Sequence, residues 1–434
     1  MNLSAVKPYN LPHRIILFLS ALLFVGCARF GLLIAEHKEL WNDEIYSQES
    51  SVKRTSYRDM FLGRIQEGNN SPLFYVLQKT IWNIFSDKQE THEQGYTSKK
   101  DKIILRLNPV FFMSLAIMII FYYFARFYGL WMGFFSLLII FSTAPVWHFW
   151  VEARPYALWF CLTTVELLCF LNFIHRQEMP ASVIARSECN ERRSNLERKI
   201  AALPSVARND TQVLAIIHLL LSFTVIFSVV QIFIVSFLLK IYRKIEWKDL
   251  WLVAVIPIGI ALFYYYHAPK YSFWFLFTPE QLIRDCFSRE RFYILFLFVL
   301  FLGFYFVQTR LTKAKFLNGE ALYNEIPILS VTGLMLAAAF FILFIFTLKA
   351  NQVQNGFIVS SRYFMYLAPV GIISTVLLSR AIVQSLSNDR WLQMIFTIGI
   401  AYWIIHRGIK LWPTVREILA VVANLSIAPP GWLI

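Results

Sequence analysis

The feature that most constrains this chain is a succession of apolar runs, most of them near the length that crosses a lipid bilayer. They fall at about 15–35, 72–86, 103–124, 130–149, 156–174, 212–239, 250–267, 291–309, 326–348, 363–383 and 391–410. A helix rises about 1.5 Å per residue, so about 20 apolar residues span a hydrocarbon core of about 30 Å. In lipid the backbone has no water to bond, which selects helices. Composition agrees: 57% of the residues are hydrophobic and 16% are charged, against about 25% charged in soluble domains. The expectation is an all-α integral membrane protein, a polytopic bundle of about 10–12 transmembrane helices. Residues 1–434 read as one transmembrane domain, with no soluble C-terminal domain after 411.

Charge orients the connections. The loop 175–211 carries Arg176, Arg186, Arg192, Arg193, Arg198, Lys199 and Arg208, and so reads as cytoplasmic. Lys7, His13 and Arg14 precede the first run, which is too long for a signal core and reads as a signal anchor with its N-terminus inside. Lys240, Arg243 and Lys244 also look cytoplasmic, so both ends of 212–239 would lie inside. A hairpin of two short helices about Ser222 to Gln231 achieves this; one long helix would invert everything downstream. The run 72–86 is short and contains Gln78 and Lys79, which fits an interfacial helix better than a spanning one. The stretch 37–102 is then an extracytoplasmic first loop carrying short interfacial helices.

The net charge of +14 is spread over loops and does not point to nucleic acid. The five cysteines show neither metal-ligand nor disulfide spacing. No Walker or dinucleotide glycine loop occurs, and there is no Asp-x-Asp of the nucleotide-sugar kind. A substrate carried by a lipid therefore suits a site at the membrane surface.

Ionisable residues at membrane depth are costly and mark functional sites by default. Three clusters fall on the outer side of the expected topology. Asp43 and Glu44 follow Trp41-Asn42 just beyond the first helix, where one acid can act as a base and the other as its partner; a solvated loop start is the plainer reading. Glu152 and Arg154 lie between two apolar runs with Tyr156 close by; the plainer reading is a snorkelling pair. Arg362 and Tyr363 open the run 363–383, where an arginine opposes the helix dipole and so hints at a bound anion; a simple interfacial arginine is the alternative.

These clusters, in this order, resemble motifs of the GT-C superfamily of membrane glycosyltransferases, nearest the branch of protein O-mannosyltransferases and lipopolysaccharide-modifying sugar transferases. Trp41 to Glu44 resembles that branch's Trp-x-Asp-Glu element. Asn70-Ser71-Pro72-Leu73-Phe74-Tyr75 stands where it has His-Pro-Pro-Leu-Tyr-Tyr, and so lacks the histidine. Glu152-Ala153-Arg154-Pro155-Tyr156-Ala157-Leu158 resembles its Glu-Ala-Arg-x-Tyr-Ala-Leu, and Arg362-Tyr363 with Pro369 its Arg-Tyr-x-x-x-x-x-Pro. The resemblance is densest over 15–175 and returns at 360–383.

The resemblance implies an inverting transfer of sugar from a polyprenyl-phosphate carrier to a hydroxyl of a glycan, lipid or protein at the outer face of a bacterial inner membrane. It implies Asp43 as the base, Arg362 or Arg154 on the leaving phosphate, and Asn70 and Tyr75 in the same cleft. It leaves the cofactor open, since some members of the family bind a divalent metal near these acids and others do not. A transporter or flippase of lipid-linked or anionic substrates is the alternative of a different class.

Overall fold

The computed structural model describes residues 12–65, 71–86, 98–176, 210–242, 244–267, 303, 324–350, 364–386 and 390–423. Among the described residues every regular element is a helix. Five helices are long and apolar enough to cross a membrane: α1 (His13–His37), α5 (Lys99–Tyr128), α8 (Tyr156–Arg176), α13 (Leu367–Ser385) and α14 (Arg390–Val422). Further apolar helices are α6 (Leu130–Phe141), α9 (Asp210–Ser222), α10 (Ser228–Ile241), α11 (Trp251–His267) and α12 (Ile326–Ala350). By length and composition this is the architecture of a multi-pass membrane protein. The apolar run 291–309 lies outside the described residues, apart from Gly303.

The helix pairings fix the two ends of the bundle. At one end α1 finishes beside the start of α5, with Lys99 Nζ 2.9 Å from Glu36 and Lys102 Nζ 2.6 Å from Glu39. At the far end the Tyr122 hydroxyl lies 3.4 Å from the His13 ring, so α1 and α5 are antiparallel. Gly31 lets them close up: a Cβ there would stand 2.9 Å from both Trp150 Nε1 and a Val110 methyl. Such small residues allow close helix contacts where apolar burial gives no net drive. Gly129, at φ 98°, makes the tight turn from α5 into α6.

Between α1 and α5 lies the first loop. It holds α2 (Asn42–Tyr46), which runs on as a π-helical stretch over Ser47–Lys53, then α3 (Tyr57–Phe61) and α4 (Leu73–Phe85). At 13 residues α4 is about 20 Å long, short of a bilayer. It lies against α5, where Gln78 Nε2 donates to the Leu105 carbonyl at 2.8 Å. That carbonyl lacks its intrahelical donor, because residue 109 is a proline within α5 and has no N–H.

The same device recurs in α11. Pro257 leaves the Val253 carbonyl without its i+4 donor, and the His218 ring bonds that carbonyl at 2.6 Å through Nδ1. The helix opens as a π-turn over Trp251–Val255 just before the proline, as helices do around an insertion in the hydrogen-bond ladder.

The run 212–239 is two helices, α9 and α10, broken at Phe223–Phe227. The turn lies at the loop end, where the Phe223 carbonyl accepts from Leu73 N–H at 2.7 Å. The far end is marked by Lys244 Nζ, 3.2 Å from the Ile174 carbonyl. The hairpin therefore forms, and 210 and 241 share one end.

Two runs differ from expectation. The run 130–149 is α6 and a short α7 (Ala144–Phe149), not one helix. Ser142 and Thr143 turn their hydroxyls back onto the Ile139 carbonyl at 2.9 and 2.7 Å, ending α6, and Pro145 opens α7. The last run does not stop at 410: α14 continues through Pro413 to Val422.

Candidate functional site

At the loop end, α2 is built around Glu44. The Trp41 N–H donates to Glu44 Oε2 at 2.9 Å, closing the first turn in the manner of a capping box. Arg106, fully buried on α5, approaches the same carboxylate in a fork: Nε lies 3.1 Å from Oε1 and Nη2 2.7 Å from Oε2. The Ala153 N–H supplies a further bond to Oε1 at 2.7 Å. Arg106 also donates to the Ala35, Lys38 and Glu39 carbonyls. These cap the C-terminal end of α1, whose last carbonyls have no helical partner.

Glu44 is 2% exposed. Burial alone would raise its carboxyl, but the Arg106 charge and the bonds from Arg106, Trp41 and Ala153 outweigh it and hold the group below the usual carboxylate range. With both oxygens engaged, Glu44 has no face left for a substrate. It ties together α1, α2, α5 and the turn before α8.

Asp43 points the other way. Its side chain is 42% exposed, with Oδ2 3.9 Å from Arg154 Nη1. Arg154 also reaches the Asp43 carbonyl at 3.4 Å and the Ser47 hydroxyl at 3.1 Å. Asp43 and Ser47 are one turn apart and share a face of the helix. Arg154 lies in the turn before α8, fixed in part by its N–H to the Glu152 carbonyl at 2.7 Å. Glu152 is 7% exposed.

Two bases close the cluster. Lys38 is held below its ordinary value by burial and by the Arg106 charge, partly offset by Glu44 and Glu152. His148, on α7, is lowered by burial and by Lys38. Trp41 and Tyr46, which flank Asp43 in the sequence, are 40% and 49% exposed.

Of the residues singled out in the sequence, Asp43, Glu44, Glu152 and Arg154 come together here. Tyr156 begins α8 with its ring 4.9 Å from Phe149. Tyr75 is wholly buried in a small core with Val52, Met60, Ile65, Phe74 and Leu158, so its ring supports the loop from beneath. Asn70, Arg362 and Tyr363 lie outside the described residues. Among the described residues no group of three or more His, Cys, Asp or Glu side chains is arranged to hold a metal ion.

Sequence reasoning passed over Arg106 and Lys38. Arg106 carried a usable signal, being an ionisable residue inside the apolar run 103–124. The same signal marks a second buried polar set midway along α8. Glu166 and His218 are wholly buried, with His218 Nε2 2.9 Å from Glu166 Oε1. These two atoms form no hydrogen bond of good geometry, so the contact is a close polar approach. Gln231 on α10 donates to Glu166 Oε2 at 2.9 Å and accepts from Trp159 Nε1 at 2.8 Å. Indole only donates, which fixes the orientation of the Gln231 amide. A carbonyl only accepts, so the bond to Val253 places a hydrogen on His218 Nδ1.

No protein-family model matches the chain, and comparison with curated proteins and with solved structures finds no match.

Proposed function

We propose that this chain is a membrane-embedded glycosyltransferase that moves a sugar from a polyprenyl-phosphate carrier to a hydroxyl acceptor, with inversion at the anomeric carbon. The observation that carries the proposal is the division of labour in the adjacent acids. Glu44 is saturated and anchors the helix, while Asp43 stands half-exposed beside Arg154 at the end of the bundle. In the proposed reaction Asp43 takes the acceptor hydroxyl's proton. The freed oxygen bonds to the anomeric carbon as the bond from that carbon to the phosphate oxygen breaks, and the lipid phosphate leaves with the electron pair. Arg154 meets the growing negative charge, an interaction that strengthens toward the transition state and so lowers the barrier. Arg362 is its proposed companion. No step is assigned to a metal.

The site would face outward from a bacterial inner membrane. Support comes from the far end, where Arg126 lies in the last turn of α5, Lys240 in the last turn of α10, Lys244 at the Ile174 carbonyl and Arg380 over the Tyr128 ring, a basic bias of the kind that cytoplasmic faces carry. The proposed partners are the lipid-linked donor, a glycan, lipid or protein acceptor, and the bilayer, with no role for nucleic acid.

A second reading, a transporter or flippase, has one observation in its favour: the Glu166–His218 pair midway along the bundle, where proton relays occur. Against it, both side chains are engaged by neighbouring helices. The deciding experiment incubates membranes holding wild-type or Asp43→Asn protein with radiolabelled polyprenyl-phosphate sugars. Label passing from lipid to a new product with wild type only supports the transferase. Transfer that survives Asp43→Asn removes Asp43 as the base. Movement of intact lipid across vesicles without transfer favours the transporter.

A further inference from the structure

The Glu166 set joins four helices: α8 through Trp159, Thr163 and Glu166, α9 through His218, α10 through Gln231, and α11 through the Val253 carbonyl. Glu166 and His218 are 0% exposed, so water does not reach the contact between them. Burying polar groups costs free energy unless hydrogen bonds compensate; here Gln231 donates to Glu166 Oε2 and His218 Nδ1 donates to the Val253 carbonyl.

From this joint a connected path leads to the candidate site. The α9–α10 turn carries the Phe223 carbonyl, which accepts from Leu73 N–H at 2.7 Å. Leu73 is the first residue of α4, so its N–H has no partner within its own helix. One turn and a half further along α4, Lys79 Nζ donates to the Val52 and Lys53 carbonyls at 2.7 and 3.2 Å. Those carbonyls end the helix that begins with Asn42, Asp43 and Glu44. Each link is a directed hydrogen bond between elements, so a shift of the hairpin along α8 is passed to the helix bearing Asp43.

We propose that Glu166 and His218 are positioning residues, which with Gln231 pin the α9–α10 hairpin to α8 and, through Phe223, Leu73 and Lys79, set the placement of the helix that carries Asp43. Where it speaks of Asp43 as a base, this inference rests on the transferase reading; the joint itself does not.

The test is amide hydrogen exchange on the full-length protein in lipid nanodiscs, read at the Leu73 amide. Because that amide is bonded only outside α4, its protection reports the hairpin directly. Glu166→Ala and Gln231→Leu are each expected to lower Leu73 protection roughly tenfold or more, with amides of α5 near Ile117 still protected, as expected of a sub-global opening. Glu166→Gln is expected to restore it, since a glutamine can donate to His218 Nε2 and accept from Gln231. Sugar transfer by the same samples is expected to fall in kcat with Glu166→Ala and recover with Glu166→Gln. Unchanged Leu73 protection in either Glu166→Ala or Gln231→Leu overturns the proposal. If Glu166→Ala does not fold, Gln231→Leu, which removes one side of the joint, decides the question in its place. Loss and rescue of protection in a protein whose wild type transfers no sugar upholds the joint and defeats the transferase reading instead.

Discussion

Replacing Arg106 by methionine keeps the bulk of the side chain and removes its charge. The Glu44 carboxylate then keeps only the Trp41 and Ala153 N–H groups, at 2.9 and 2.7 Å, and three carbonyls at the end of α1 lose their donor. Removing one partner of a buried pair costs about 3–5 kcal/mol, a large share of the roughly 5–15 kcal/mol that holds a domain together. The Glu44→Leu, Arg106→Met double variant is expected to be less impaired than the two single costs sum to, by about 2 kcal/mol. It does not recover fully, because two N–H groups are then orphaned at about 1–3 kcal/mol each.

The pH dependence has a definite sign. In the wild type the Glu44 carboxyl lies below its unfolded value of about 4.3. Its contribution is therefore fully present above that value and is lost as pH falls through the folded value. Without Arg106, burial dominates and raises the carboxyl, so the folded variant binds a proton that the unfolded chain does not. The variant should gain stability as pH falls from 8 to 5, while the wild type gains nothing from this group. Reversible unfolding in mixed micelles, followed by tryptophan fluorescence, measures both. A cost below about 1 kcal/mol, or a cost equal at pH 8 and pH 5, would refute the keystone role of the pair.

Other perturbations follow from single contacts. Gln78→Leu strands the Leu105 carbonyl and should cost about 1–3 kcal/mol; Pro109→Ala in the same chain should restore most of it by returning an N–H, and an additive double variant would show that the two residues do not serve one carbonyl. Glu325, buried beside Arg380 at 3.5 Å, is pushed up to about 7, with burial outweighing the arginine. A raised carboxyl contributes stability at low pH that is lost as pH rises toward and past 7, so Glu325→Gln should match the wild type at pH 5 and exceed it at pH 8; equal stability at both would contradict the assignment. Tyr46→Cys and Trp247→Cys, at opposite ends of the bundle and 49% and 74% exposed, should be labelled by an impermeant thiol reagent from opposite sides of sealed vesicles, and labelling of both from one side would overturn the proposed topology.

Helix positions were readable because each run had to satisfy its backbone within itself, a requirement that hydropathy records. Where helices end was less readable. Ser142 and Thr143 stop α6 by local side-chain bonds that a hydropathy window averages away, and Pro413 leaves α14 unbroken. The hairpin followed from charge, since lysines and arginines at both ends of 212–239 demand one side. In the site, Asp43, Glu44, Glu152 and Arg154 were visible as local clusters. Arg106, 62 residues from Glu44, was not. Its partner is set by the packing of α1 on α5, and only the cost of an arginine in an apolar run announced it. Which of two adjacent acids is buried also depends on that packing, and nothing in Asp43-Glu44 as a dipeptide decides it.

The two proline-orphaned carbonyls bear on how the chain is made. Gln78 serves Leu105 and His218 serves Val253, and each donor precedes the helix it serves. A chain emerging from the ribosome is threaded N-terminus first. By the time α5 or α11 is synthesised, the residue that will satisfy its broken rung has already been made. Neither proline-containing helix has to wait with a bare carbonyl for a partner not yet synthesised, so the order of the elements along the chain doubles as an assembly schedule.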